Sequence, residues 1–171
     1  MIPIATCSPR SVDLARSFGA EKLFDYHEPN CADDIKAYTK NSLKYVLDCI
    51  ATTSSVKLCY SAMGRLGGQY TALEMPPPVA GLRKSIKLDR ILGMTLLGKE
   101  IALSEGYHRP ADPECYAFGL KWYVLVQNLI NEGKLRPHPS KTMTGGFEGI
   151  LSGLDALKGE RVWGSKLSYF L

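Results

Sequence analysis

The chain has 171 residues, 45% of them apolar, and a formal net charge of +4, which gives enough apolar mass for one sizeable core. Its Lys and Arg residues are spread along the sequence and form no run of the kind that marks a nucleic-acid arm. No apolar stretch reaches the ~18 residues of a membrane span and no signal peptide opens the chain, so the reading is a soluble, cytoplasmic protein with neither nucleic acid nor membrane as partner.

"IPIATC" (2–7) is short, apolar and β-branched, as in a buried strand. Ser8 is placed to cap a helix with Pro9 at its first position, where a missing N–H costs nothing. Val12, Ala15 and Phe18 form the inward stripe of that helix, and Gly19 supplies its left-handed stop. "KLFDY" (22–26) reads as the next strand and 31–41 as a short helix with Ile35 and Tyr38 inward. "KYVLDCI" (44–50) reads as a strand buried on both faces, the pattern of a parallel sheet covered by helices. "TTSS" caps a helix around 56–63, "GRLGG" turns, and "QYTAL" (69–73) is a further strand. After the extended "MPPPVAG", "LGMTLLG" (92–98) reads as another apolar strand. A long helix covers 115–133, with Phe118, Trp122, Leu125, Val126 and Leu129 on one face and Gly133 at its end. The tail has a different rhythm: "SKTMTGG", a helix over "FEGILSGLDALKGE", and "KLSYFL" as a terminal strand that leaves the main sheet.

This β-α-β-α order with short connections is the grammar of a doubly wound α/β sheet. Cys7, Cys31, Cys49, Cys59 and Cys115 include no C-x-x-C pair, and His27, His108 and His138 repeat no ligand spacing. Reduced thiols and no metal site are expected.

In doubly wound folds the end of the second strand meets the adenosine ribose, where an acid selects NAD and small polar or basic residues accept the 2′-phosphate of NADP. Here the strand ends "CSPRS", with no acid before Asp13. Ser8 and Ser11 offer hydroxyls, Arg10 offers a planar fork of donors, and the helix start adds N–H groups. A simple cap at Ser8 with Arg10 in water accounts for the same residues. Tyr26, at the end of the following strand, is placed to flank an adenine ring.

"IATCSPRSVDLARSFGAEKLFDY", "YTKNSLKYVLDCI", "GRLGGQY" and "GSKLSYFL" resemble the fungal trans-acting enoyl reductases of the medium-chain dehydrogenase/reductase superfamily, and the resemblance runs through essentially the whole chain. It implies an NADP(H)-dependent oxidoreductase that reduces an α,β-unsaturated acyl thioester beside a highly reducing polyketide synthase or a synthase–peptide synthetase hybrid. Carried over by position, it implies the 2′-phosphate at Ser8, Pro9, Arg10 and Ser11, the adenine side at Tyr26 and the nicotinamide half near Leu73 and Glu74. It further implies a polyketide channel along Met94, Thr95, Leu96, Leu97 and Gly98, and an approach to the cofactor by Ser165 and Lys166. For 94–98 an apolar core strand explains the residues equally well, and for Lys166 a solvent-exposed role does. Tyr107 and His108 are polar loop residues, and no catalytic residue is assigned.

Family members are about twice as long, with an N-terminal GroES-like catalytic domain and a first βα unit carrying the phosphate turn. The expected fold is therefore a Rossmann-like doubly wound sheet lacking its first βα unit (1–139), plus a tail (140–171) that in the family returns to the GroES-like domain. The lost strand is central in the usual order. Its absence leaves the "IPIATC" strand to pair directly with "KYVLDCI", or another chain to supply a strand, or a looser fold. Three functions stay open: a trans-acting enoyl reductase, a pseudoenzyme or tailoring cyclase that binds without reducing, and a nucleotide-binding regulatory module.

Overall fold

The structure is a computed structural model that describes every residue except Leu82, Glu105, Glu160 and Leu171, and only the backbone of Val79 and Gly81. The last residues of the helix expected to 160 and of the strand expected to 171 thus lie outside the described residues. The chain forms two compact units, one of Met1–Leu23 with Val126–Leu171 and one of Phe24–Leu125.

In the first unit β1 (Ile4–Thr6) pairs with β2 (Lys22–Phe24). Between them a 3-10 turn over Pro9–Ser11 leads into α1 (Val12–Ser17), which stops at Gly19 with φ 95°. The Pro9 start and the Gly19 stop are as the residue types dictate. Ser8 does not cap with its side chain, because the first turn is wound as 3-10 and its hydroxyl faces Ser11 Oγ at 3.5 Å. Phe18 is exposed, and the Arg136 guanidinium covers its ring at 4.9 Å. The tail forms β6 (Ser140–Met143), α5 (Gly146–Lys158) and β7 (Lys166–Tyr169), with β6 and β7 parallel in a sheet of their own. Gly149 and Gly153 let α5 lie close against Tyr169, since a Cβ at Gly153 would sit 2.1 Å from its hydroxyl.

The second unit contains α2 (Cys31–Tyr38), β3 (Tyr45–Asp48), α3 (Thr53–Ala62), β4 (Gly68–Ala72) and β5 (Ile86–Arg90), and most of α4 (Pro113–Asn131). Its sheet runs β3-β4-β5, all parallel, with Val46 opposite Tyr70 and Tyr70 opposite Leu88. Val56, Met63, Tyr70, Ala72 and Ile86 form its core, with Val46, Cys59 and Tyr60 packed against it. Thr52 Oγ1 accepts from Ser55 N and caps α3. Arg83 donates to the carbonyls of Tyr60, Met63 and Arg65, closing the other end of α3 where unpaired C=O groups favour a cation.

Three further expectations are corrected. The 92–98 segment is not a strand: Gly93–Leu97 is a 3-10 turn ended by Gly98 at φ 70°, and Thr95 Oγ1 donates to Leu92 O. The strand is instead "IKLDR", whose Lys87 and Asp89 lie on the uncovered face and hide the period-2 signal of Ile86 and Leu88. β3 is covered on one face only, with Tyr45 61% and Leu47 59% exposed. Phe118, Trp122 and Leu125, expected inward, are exposed because the described residues provide no layer to cover them, and Tyr38, also expected inward, is 42% exposed with the Phe24 ring edge-on to it.

With β1 and β2 as the second and third strands of a doubly wound sheet, and β3, β4 and β5 as the fourth to sixth, each neighbour pair matches the usual order. Among the described residues the β1-β2 pair and the β3-β4-β5 strands are separate hydrogen-bonded sheets.

Gly67 and Gly68 set the start of β4. A Cβ on Gly68, at φ 155°, would lie 2.0 Å from Lys44 O, and one on Gly67, at φ 77°, 1.9 Å from Ser85 O. Gly68→Ala is expected to lower stability by about 1–3 kcal/mol through strain and displaced backbone; the urea midpoint should fall while the m-value holds.

Candidate functional site

In the first unit the residues read as a phosphate pocket follow β1. Arg10 does not hang in water: its guanidinium lies over the Trp163 ring at 4.6 Å. A cation on an exposed indole gains about 0.5–1 kcal/mol, and stacking leaves the N–H edge of the fork free. Among the described residues none of its N–H groups has a hydrogen-bond partner. Ser165, whose hydroxyl donates to Trp163 O at 3.3 Å, and Lys166, exposed at the start of β7, follow directly. Gly164 keeps this segment near α1, since a Cβ there would meet Leu14 at 3.2 Å. The fold thus brings Arg10 and the 163–166 segment together across most of the chain length. A phosphate needs a cation and convergent hydroxyl or N–H donors; the turn that carries Arg10 also carries Ser8 and Ser11, whose hydroxyls lie 3.5 Å apart.

In the second unit the three parallel strands end on one side of the sheet, the side where ligands of open α/β sheets bind. Leu73 and Glu74 follow β4 there, both exposed. Tyr107 donates its hydroxyl to Glu74 Oε1, and Arg90, the last residue of β5, lies over the Tyr107 ring at 4.8 Å and donates to Gly106 O at 2.7 Å. The Tyr107 hydroxyl and the Met75 N–H hold the Glu74 carboxyl below its usual range, and the same carboxylate pushes the Tyr107 phenol up. That proton is committed to Glu74, so Tyr107 ties its own stretch of chain to the segment after β4 rather than standing as a free acid.

The 94–98 segment follows β5. Met94 and Leu97 are exposed, whereas Thr95 and Leu96 turn toward α4. Cys115 Sγ lies 3.5 Å from Thr95 Oγ1, and Leu96 lies against Gly119. Of the five residues, Met94 and Leu97 are the two large apolar side chains that face outward. Tyr26 is also exposed, its ring 4.1 Å from that of His27, whose Nδ1 and backbone N–H both bond Asp25 Oδ1.

Asp48, at the carboxyl end of β3, is 4% exposed. Its Oδ1 accepts from Ile50 N and Ala51 N, each at 2.9 Å, and its Oδ2 from the Tyr70 hydroxyl at 2.9 Å. Burial opposes its charge, but the N–H groups of Ala51 and Ile50 and the hydroxyls of Ser55 and Tyr70 outweigh it and hold the carboxyl below its usual value. The same surroundings, burial first and then the Asp48 charge, push the Cys59 thiol up to about 12, so Cys59 is an inert core thiol. Asp48 also pins Ala51 in a left-handed conformation, φ 55°.

Sequence reasoning missed Trp163, Arg90 and Asp48. The "WGSK" run adjoins Ser165 and could have drawn attention to Trp163, but its pairing with Arg10 has no local signal. Among the described residues no group of three His, Cys, Asp or Glu side chains could hold a metal ion, and no helix is long and apolar enough to cross a membrane.

No protein-family model matches the chain. It is 52% identical over 166 residues to a trans-enoyl reductase, RAP2, of Pyricularia oryzae, covering 97% of this chain and 47% of that protein. It is 50% identical over 171 residues to the trans-enoyl reductase FSL5 of Gibberella zeae, covering 100% of this chain and 48% of the relative. The chain therefore spans about half the length of these relatives. Among solved structures, the JamJ enoyl reductase in its apo form superimposes with a TM-score of 0.68 at 17% identity, over 98% of this chain and 47% of that one, which shows the fold.

Because Asp48 is held below its ordinary pKa, its contribution to stability is full above 3.8, the unperturbed value, and is lost as pH falls through the lower folded value. Asp48→Asn should cost about 1–3 kcal/mol at pH 7 by facing an amide toward N–H donors. It should also flatten the acid limb of thermal melts recorded downward from pH 4.

Proposed function

We propose that this chain, a homologue of one half of the fungal trans-enoyl reductases, is the cofactor-facing half of such an enzyme in polyketide biosynthesis. The observation that carries the reading is the 50–52% identity that runs along 97–100% of the chain. The substrate class is an α,β-unsaturated acyl thioester presented by a highly reducing polyketide synthase or synthase–peptide synthetase hybrid. The cofactor is NADPH, which when bound supplies a hydride for the β-carbon of the enoyl group; the α-carbon takes a proton.

Each candidate residue has a role in this reading. Arg10, Ser8 and Ser11, with Pro9 fixing the turn, hold the 2′-phosphate. Arg10 is pre-positioned by Trp163, which lowers the ordering cost of binding. Tyr26 flanks the adenine, and Leu73 and Glu74 border the nicotinamide half. Met94 and Leu97, exposed and apolar at the carboxyl end of the sheet, meet the acyl chain, with Thr95, Leu96 and Gly98 shaping the turn that presents them. Ser165 and Lys166 lie beside the phosphate site through Trp163. No side chain of this half is assigned as the proton donor.

Fluorescence titration of the purified chain tests the cofactor assignment. NADPH should bind at least about tenfold more tightly than NADH. Arg10→Glu should weaken NADPH by about tenfold or more, the loss of one charge-assisted contact, and change NADH less than about twofold. Equal effects on both nucleotides would remove the phosphate pocket. A chain that binds NADPH but never oxidises it with an enoyl thioester, alone or beside a synthase, would point to the binding-only reading.

A further inference from the structure

The turn that presents Met94 and Leu97 is built against α4. Asp112, the residue before the helix, joins the two: its Oδ1 accepts from Cys115 N at 2.9 Å, capping the first turn of α4, and its own N–H donates to Gly98 O at 3.2 Å. Pro113 opens the helix where a missing N–H costs nothing. In that first turn Cys115 Sγ donates to Thr95 Oγ1 at 3.5 Å, and Thr95 Oγ1 donates to Leu92 O at 2.7 Å. The helix start and the 3-10 turn are thus hydrogen-bonded into one piece.

Two glycines let them close on each other. A Cβ on Gly98 would lie 2.6 Å from Tyr116 Cβ, and one on Gly119 would lie 3.2 Å from Leu96 O and 3.3 Å from Leu96 Cβ. Gly119 is the buried residue of α4, and Leu96 packs where a side chain on it would begin. The turn divides its own side chains accordingly. Thr95 and Leu96 are turned to the helix, whereas Met94 at 43% and Leu97 at 65% exposure face outward beyond the carboxyl end of β5. Close-packed contacts transmit a displacement rather than absorb it. The side chain at position 119 therefore sets how far the turn, and Met94 and Leu97 with it, stands off the helix.

We infer that the start of α4 selects which acyl chains the site accepts. Asp112, Cys115 and Gly119 are positioning residues that touch no ligand and fix the depth of the wall formed by Met94 and Leu97. The inference rests on the reading of 94–98 as a surface for the acyl chain, and adds the element that discriminates among chains. Its direction follows from the contacts. The three nearest atoms that a Cβ at Gly119 would meet, Leu96 O, Cβ and Cδ2, all belong to the turn. A methyl group there presses Leu96 away from the helix and carries Met94 and Leu97 toward the ligand. An apolar wall discriminates by the methylenes it can cover, and a wall moved inward excludes long chains while leaving room for short ones.

Isothermal titration of the full 171-residue chain with butanoyl-pantetheine and dodecanoyl-pantetheine reads this selectivity. The unsubstituted chain should bind the longer thioester at least about tenfold more tightly, and Leu97→Ala should cut that ratio to below about threefold. Gly119→Ala, which the helix favours by propensity, should lower the ratio at least about threefold through weaker dodecanoyl binding, with the butanoyl Kd held within about twofold. The far-UV spectrum should be unchanged. A pair of Cys115 variants gives the same readout without adding volume: Cys115→Ala should lower the ratio, and Cys115→Ser, which keeps a donor for Thr95, should restore it. The inference is overturned if Leu97→Ala changes the ratio while Gly119→Ala and Cys115→Ala do not, or if these two weaken both thioesters alike, as a purely structural loss does. If the unsubstituted chain shows no preference, or Leu97→Ala leaves the preference intact, the acyl-surface reading falls and takes this inference with it. The NADPH titration is independent of these ratios, so the cofactor assignment stands or falls separately.

Discussion

The Asp48 carboxylate ties the second unit together. It is the buried charged side chain among the described residues, and burying a carboxylate is unfavourable unless its lone pairs are met. Its two oxygens meet donors from the loop after β3, from α3 and from β4. One group thus fixes where β3 ends, how the chain turns at Ala51 and where Tyr70 stands in the core. The carboxyl edge of the parallel sheet, from which Leu73, Glu74, Arg90 and the 94–98 turn project, inherits its alignment from that arrangement.

The two units carry different candidate chemistry. The first holds a cation on an aromatic face, with two hydroxyls on the same turn, chemistry suited to a phosphate. The second supplies the carboxyl edge of a parallel sheet with apolar groups facing outward, chemistry suited to a ring and an acyl chain. The Glu74–Tyr107–Arg90 group, exposed and mutually satisfied, serves to hold a loop rather than to exchange protons.

Much of the architecture was legible in the sequence because local chemistry and global fold agree. Pro9 and Gly19 bracket the first helix, Thr52 caps α3, and the "YVLD" and "QYTA" runs are strands. The failures have physical reasons. The 92–98 segment has strand composition, but Gly98 in a left-handed conformation and the Thr95 hydroxyl close a tight turn that hydropathy does not register. β5 alternates apolar with charged residues on an uncovered face, which weakens its signal. Tyr45, Leu47, Trp122 and Phe118 look like core residues, and they are exposed because the layers that would bury them are not among the described elements. Arg10 was legible as a candidate, whereas its Trp163 support, formed between sequence-distant segments, was not.

The most direct measurement of the central claim is a crystal structure of the chain soaked with NADP⁺. The account predicts the 2′-phosphate against the Arg10 guanidinium and the Ser8 and Ser11 hydroxyls, with Arg10 still resting on Trp163. A nucleotide bound with that phosphate in solvent, or seated away from the end of β1, would contradict it.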